Sequence, residues 1–342
     1  MPLGTGEAEP LKSRSQRQVR SEKTSDRNFV KEDQLGNENI KVREFDSGTR
    51  SEFTSVTDLL HRWLSQHVAK ESLTWLDEKI EQIAAGAPAR MFFTAFSAVP
   101  RYTGKKDLEL TKEDLQAASA MRSGWSPDHW SVDQAARTLL VLALPHDNAE
   151  KYLRTLEQVF STADVGELVA LYQALPLLPY PEQLSKRAAE GVRSNMTAVF
   201  NAVALRNPYP AEYFDNLAWN QIVLKALFVG SPLYLIQGLD GRANPELARM
   251  LVDYAHERWA AKRLVSPEIW RLVGQFADAA ILKDLEQVLA DPDPTQQAFS
   301  ALACAQCPLP QAQALLACYP DLQASIQAGR LTWSHLSQQA QN

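Results

Sequence analysis

From Thr54 to Cys318 the chain repeats one period, and prolines cut it into pieces. Val56, Leu59, Leu60, Trp63 and Leu64 fall at helical spacing, and Leu73, Leu76, Ile80 and Ile83 continue it in a second helix. Further helices are predicted near 88–99, 111–123, 131–144, 148–162, 165–176, 181–205, 211–229, 245–263, 267–276, 278–290, 295–305 and 309–318. Prolines at 88, 181, 245, 267, 294 and 310 sit near predicted helix starts. A first helical turn tolerates proline because its N–H would have no partner there. Thr111 with Asp114, and Ser131 with Gln134, have the three-residue spacing of a helix N-cap and its returning side chain. No run of alternating β-branched residues lies between Gly-rich turns. The fold class is therefore all-α.

Short helices on short loops favour antiparallel neighbours stacked in series. The stretch 278–290, the turn Asp291-Pro292-Asp293-Pro294 and the stretch 295–304 read as one HEAT-like helical hairpin. The stretch 132–178 has a similar rhythm. No fixed-period repeat is present, so the expectation is an irregular α-solenoid, a HEAT-like stack of antiparallel helices. A compact helical bundle is the alternative. Residues 1–50 differ: their large apolar residues, such as Phe29 and Phe45, are scattered among mixed charges. Such a segment buries too little apolar surface to offset chain entropy. It reads as a disordered tail, or as a docking segment that folds on a partner, ahead of a helical domain over 51–342.

A net charge of −6 argues against nucleic acid as the main partner. No apolar run approaches the roughly 18 residues that span a bilayer, so no integral membrane protein is expected. The polar N-terminus lacks the apolar stretch of a secretory signal, which points to the cytoplasm. Three cysteines, an odd number in 342 residues, do not suggest a disulfide framework. Cys304 and Cys307 have zinc-ligand spacing, but no second pair accompanies them, so they read as buried thiols at the end of a small-residue helix. No metal and no cofactor is expected.

The stretch 207–271 carries the most unusual residues. Lys225 sits among Ile222, Val223, Ala226, Leu227 and Val229. A lysine there either snorkels to water or pairs with an acid, for which Asp253 and Glu257 are the natural candidates. A desolvated lysine could also form a Schiff base with a carbonyl compound. On the helix that follows, Asn244 suits the N-cap and Pro245 the first turn. Leu247, Met250, Leu251, Tyr254 and Arg258 form its core-facing stripe, while Asp253, His256 and Glu257 project elsewhere. Asp253 and His256 share a face and could hold a polar ligand; a solvated face with local ion pairs is the plainer reading. The string His256-Glu257-Arg258-Trp259-Ala260 lacks the second histidine of a zinc-protease helix. The intervening loop has three glycines but no phosphate-binding pattern, and its Asp240, Arg242 and Asn244 could line a cleft. Asn220 and Arg271 complete the set of ligand- or partner-binding candidates. His61, His67, His129 and His146 are scattered without an evident nucleophile partner, so no catalytic residue is assigned.

The segment NPYPAEYF…AWNQIVLKALFVGSPLYLIQGLDGRANPELARMLVDYAHERWAAKRLVSPEIWR resembles the EboA family of metabolite traffic proteins. The likeness covers about 65 residues closely, and the helical layout from about residue 53 is compatible with it. The resemblance implies a member of a bacterial gene cluster that moves a natural-product precursor from cytoplasm to periplasm. It further implies partners encoded by such a cluster, among them a UbiA-like membrane prenyltransferase, and peripheral attachment at the inner membrane as one variant of a cytoplasmic location. It carries over no catalytic residue. Two readings follow: a non-enzymatic scaffold or carrier for a small-molecule metabolite, and an enzyme acting on a small polyol, sugar or lipid-linked intermediate, with Lys225, Asp253, His256 and Glu257 as acid–base candidates.

Overall fold

The computed structural model describes residues 55–339, so the tail reading for residues 1–50 lies outside the described residues. Among them the fold is all-α. The helices are α1 (Val56–His67), α2 (Lys70–Ala84), α3 (Ala89–Thr103), α4 (Lys112–Met121), α5 (Val132–Leu142), α6 (Ala149–Thr162), α7 (Val165–Ala174), α8 (Ser185–Arg193) and α9 (Thr197–Ala204). They continue with α10 (Tyr209–Tyr213), α11 (Asn216–Val229), α12 (Pro245–Ala260), α13 (Trp270–Val273), α14 (Ala279–Leu289), α15 (Pro294–Gln306), α16 (Pro310–Ala317), α17 (Pro320–Gln327) and α18 (Trp333–Gln339). No strand occurs among the described residues, only an isolated bridge between Asp107 and Ser131.

Packing partners follow chain order. α5 lies on α1 and α3, α7 on α5, α9 on α7 and α8, α11 on α9, α12 on α11, α13 on α12, and α15 on α13 and α14. The predicted hairpin of 278–304 is the pair α14 and α15, closed by Asp293, whose carboxylate accepts the Thr295 N–H at 2.8 Å. Large side chains fill the seams: Trp63, Phe92, Phe96, Tyr152, Phe200, Tyr209, Trp219 and Trp270 are all fully buried. Each such side chain contributes about 1.5–3 kcal/mol by leaving water. The capping expectation holds at Thr111, whose hydroxyl accepts the Asp114 N–H at 3.1 Å while Asp114 returns a bond to the Thr111 N–H at 3.1 Å. At Ser131 the Gln134 carbonyl accepts the Ser131 N–H at 2.9 Å, and the serine hydroxyl turns to Asp133 instead.

Three predicted helices are broken. The stretch 181–205 divides at Ser194, whose hydroxyl accepts the Met196 N–H at 3.1 Å and turns the chain. The break lets α8 approach α7 and α9 so closely that a β-carbon on Gly191 would meet Tyr172 and Val203 at 2.7 Å. The stretch 211–229 begins anew at α11, where Asp215 accepts the Ala218 N–H at 2.8 Å. The stretch 267–276 is α13 flanked by 3-10 turns, and a β-carbon on Gly274 would stand 2.6 Å from the Ala303 carbonyl. In each case a local turn or a close backbone approach overrides the apolar period.

Candidate functional site

The stretch 207–271 is folded by its own polar side chains. Asn207 is buried and donates to the Tyr172 and Ala202 carbonyls at 3.0 Å each, while accepting the Tyr209 N–H at 3.0 Å. Asn220 of α11 and Asn244 face each other as paired amides, at 3.3 and 2.9 Å. Asn244 also caps α12 by accepting the Leu247 N–H at 2.9 Å. Arg242 donates to the Ala211 carbonyl at 2.6 Å and the Phe214 carbonyl at 2.9 Å, with its guanidinium 5.0 Å from the Trp219 ring centre. Burial pulls the Arg242 pKa down from its usual range, against the opposing charge of Asp215. Asp240 takes two bonds of 2.5 Å from Arg271.

Lys225 is the main correction. It meets neither Asp253 nor Glu257. Its ammonium donates to the Val192 carbonyl at 2.5 Å and the Ser194 carbonyl at 2.6 Å, and lies 5.3 Å from the Phe200 ring centre. The break after α8 leaves C-terminal carbonyls without helical partners, and they point where a cation is favoured. The counter-charge is therefore a helix end rather than a carboxylate. Desolvation holds the lysine pKa below its usual value.

The outer face of α12 is different. Asp253, His256 and Glu257 are exposed, and the His256 ring nitrogen lies 3.0 Å from Asp284 of α14. Arg258 is half-buried, lies 6.0 Å from the ring centre of Tyr254 on the core stripe, and donates to the Leu264 carbonyl at 2.9 Å, which closes the end of α12. No group of three His, Cys, Asp or Glu among the described residues is arranged to hold a metal ion. Cys304 and Cys307 are buried, and burial, with Cys307 nearby, pushes the Cys304 thiol up to about 12.

Sequence reasoning missed two features. Glu268 accepts the Leu233 and Tyr234 N–H groups at 3.1 and 2.8 Å, and burial raises its pKa against those bonds. The second is a cavity of about 210 Å³, lined by His129, Gln134, Val169, Gln173, Ala198, Asn201, Ala202, Leu205 and Arg206. These side chains come from the loop before α5, from α5, α7 and α9, and from the residues just after α9. Asp128 stands at its edge, 3.0 Å from Arg206 and 3.2 Å from the His129 Nδ1. Burial works to raise the Asp128 pKa, but the His129 bond and the Arg206 charge outweigh it and keep the group ionised. The Gln173 amide nitrogen lies 3.0 Å from His129 Nε2, so His129 accepts there and presents its Nδ1–H to Asp128. Gln173 is 7% exposed, and its carbonyl oxygen has no partner in the protein. Arg206 adopts a left-handed φ of 54° and donates its N–H to the Leu235 carbonyl at 2.8 Å, which ties the cavity to the 207–271 stretch. The visible signal was Gln173 itself, a lone polar residue in the apolar run 168–178.

An all-α protein with polar side chains spent on helix ends is the class these observations define. A family profile described as "Metabolite traffic protein EboA" matches residues 56–274, well over half of the chain, and the chain belongs to that family. No curated protein and no solved structure matches it.

Proposed function

We propose that the chain is a non-enzymatic helical carrier or scaffold that assists traffic of a secondary-metabolite precursor from cytoplasm to periplasm. Family membership supports the traffic role. One observation favours binding over catalysis: the acid–base candidates do not converge. Lys225 is committed to the end of α8, His256 faces Asp284, and Asp253 and Glu257 stand on an open helix face. An acid–base enzyme needs such groups within reach of one substrate atom in a water-poor pocket. The serial packing of the helices supports an irregular solenoid, which offers extended faces to partners.

Under this reading the protein works in the cytoplasm, alone or attached peripherally at the inner membrane, with products of the same gene cluster such as a UbiA-like membrane prenyltransferase. Among the described residues no helix is long and apolar enough to cross a membrane. Exposed candidates such as His256 would then contribute about 1–2 kcal/mol each to partner binding. Asn220, Arg242, Asn244 and Arg271 would shape the surface from beneath, and exposed Asp240 would hold Arg271 at its rim. The test is to delete the gene, follow where the cluster's product or precursor accumulates, and complement with His256→Ala, Arg242→Ala and Asn220→Ala. Graded loss of export in these variants supports the scaffold. Unchanged export in the deletion strain refutes the traffic role.

A further inference from the structure

We propose that the paired C-terminal ends of α11 and α12 dock on an anionic lipid surface, with Phe228 and Leu264 entering the interface and Arg258, Lys262 and Arg263 meeting the headgroups. The two helices run the same way. Asn220 pairs with Asn244 near their starts, and Phe228 packs edge-on against Tyr254 further along, with ring centres 5.6 Å apart. Their C-terminal ends therefore lie side by side. Apolar side chains stand outward there: Phe228 is 72% exposed, Val229 38% and Leu264 87%.

These side chains are presented by bonded backbone. α12 closes with the Lys262 N–H on the Trp259 carbonyl at 2.9 Å and the Arg263 N–H on the Arg258 carbonyl at 2.8 Å, the pairing of a Schellman cap. Lys262 takes the left-handed φ, 55°, that such a cap ordinarily gives to glycine. The Leu264 carbonyl is held by Arg258 at 2.9 Å, and Val265 beside it is buried. A single exposed leucine needs no explanation. Here the contacts run on. Tyr254 meets Phe228 and also lies 6.0 Å from the Arg258 guanidinium, and Arg258 in turn holds Leu264. Apolar and basic groups form one surface that the fold leaves uncovered.

Charge selects the occupant. Among the described residues the nearby ion pairs join Arg249 to Glu246, His256 to Asp284 and Arg271 to Asp240, and none takes Arg258, Lys262 or Arg263. Glu257, about one turn before the end of α12, offsets one of these three charges. The balance is basic beside exposed apolar side chains, which is the chemistry that holds a protein on anionic headgroups with its apolar groups at the acyl boundary. A protein partner would need pockets to receive Phe228 and Leu264, whereas a bilayer yields to them. The surface itself is open: a β-carbon on Gly230, next to Val229, would meet nothing within 4 Å. The proposal names the lipid class and the face for the peripheral form of the carrier reading, and rests on that reading only for its role in export. Vesicle binding tests the face, and export in the deletion strain tests traffic, so the two can fail separately.

The experiment is co-sedimentation of the full chain with vesicles of phosphatidylcholine alone, and of phosphatidylcholine with about 30% phosphatidylglycerol. The chain should bind the anionic vesicles, and about 1 M salt, which shortens the Debye length to about 3 Å, should weaken that binding. Phe228→Ser with Leu264→Ser should lower it about tenfold or more by removing the inserted groups. Lys262→Gln with Arg263→Gln should do the same, since each cation near such a surface is worth about fivefold. Leu217→Ser removes a side chain 67% exposed on the first turn of α11, at the opposite end, and should change nothing. These positions are exposed, so the melting temperature should stay within about 2 °C in every variant. No binding to the anionic vesicles overturns the proposal. So does binding that both double variants leave intact, or that Leu217→Ser weakens equally. Loss of export in Phe228→Ser with Leu264→Ser, without vesicle binding by the wild type, would assign the face to a protein partner instead.

Discussion

Replacing Lys225 by methionine tests the reading of its environment. The ammonium makes two short bonds to the Val192 and Ser194 carbonyls. Hydrogen bonds to a charged group contribute about 1.5–3 kcal/mol each. The cation also faces the C-terminal end of α8, worth about 0.3–1 kcal/mol. Two effects reduce the sum. Lys225 is only half-buried, so water replaces part of what the carbonyls lose, and methionine removes the desolvation that lowers the lysine pKa. A net loss of about 2 kcal/mol is expected. At roughly 2–4 °C per kcal/mol for a domain of 150–250 residues, the melting temperature should fall by about 4–8 °C. Urea unfolding followed by helical circular dichroism gives the free energy directly. Asp253→Asn and Glu257→Gln should each change stability by less than about 0.5 kcal/mol, as exposed substitutions do. The reasoning fails if Lys225→Met is equally silent, or if Asp253→Asn reproduces its loss.

Three further outcomes follow from the same structure. Arg137 and Asp133 form a buried ion pair at 2.5 Å, so Arg137→Met alone should cost about 3–5 kcal/mol by stranding the carboxylate, while Arg137→Met with Asp133→Leu should recover much of it; a single-variant cost below about 1 kcal/mol in urea unfolding contradicts this. Burial works to raise the Asp114 pKa, but bonds from Thr111 and Trp63 and the Arg62 charge outweigh it and hold it below 3.8. Its folded value is thus the lower one, and the stability it contributes is present above about pH 4 and lost as pH falls through the folded value. The stability gap between wild type and Asp114→Asn should therefore be wide at pH 7 and narrower at pH 3, and a gap independent of pH would show the carboxylate charge to be irrelevant. Ellman's reagent should titrate one thiol, Cys318, in the native protein and all three after denaturation, since Cys304 and Cys307 are buried; rapid reaction of a second native thiol would remove the inert-thiol reading.

The helical class was legible because the apolar period recurs in nearly every element, from Leu59, Leu60, Trp63 and Leu64 onward, and the N-caps at Thr111, Asn148 and Asp278 fall where short polar residues precede it. Helix breaks were less legible. At Gly274 the close approach comes from Ala303, a residue distant in the chain that a local pattern does not contain, and within 181–205 the break comes from the turn at Ser194, which the apolar period does not register. The polar candidates of 207–271 were found because they interrupt apolar runs, but the interruption does not reveal what answers it.

Lys225 and Gln173 show why. Each is a polar residue within an apolar helix, and each predicts that something polar lies opposite. For Lys225 the answer is a pair of backbone carbonyls. Every residue carries a carbonyl, so sequence cannot mark the relevant one; only the break after α8 frees it. The partner of a buried cation is thus set by where a neighbouring helix ends, and Ser194, which turns the chain there, determines it as much as Lys225 does. For Gln173 the protein supplies half an answer: the amide nitrogen meets His129 Nε2, and the carbonyl oxygen is buried without a partner. The same signal therefore marks two different things: a side chain whose polar group the fold answers fully, and one it answers only in part. Geometry separates them, since Lys225 is satisfied by helix ends that exist only in the folded chain, whereas the Gln173 carbonyl oxygen still lacks a partner after folding is complete.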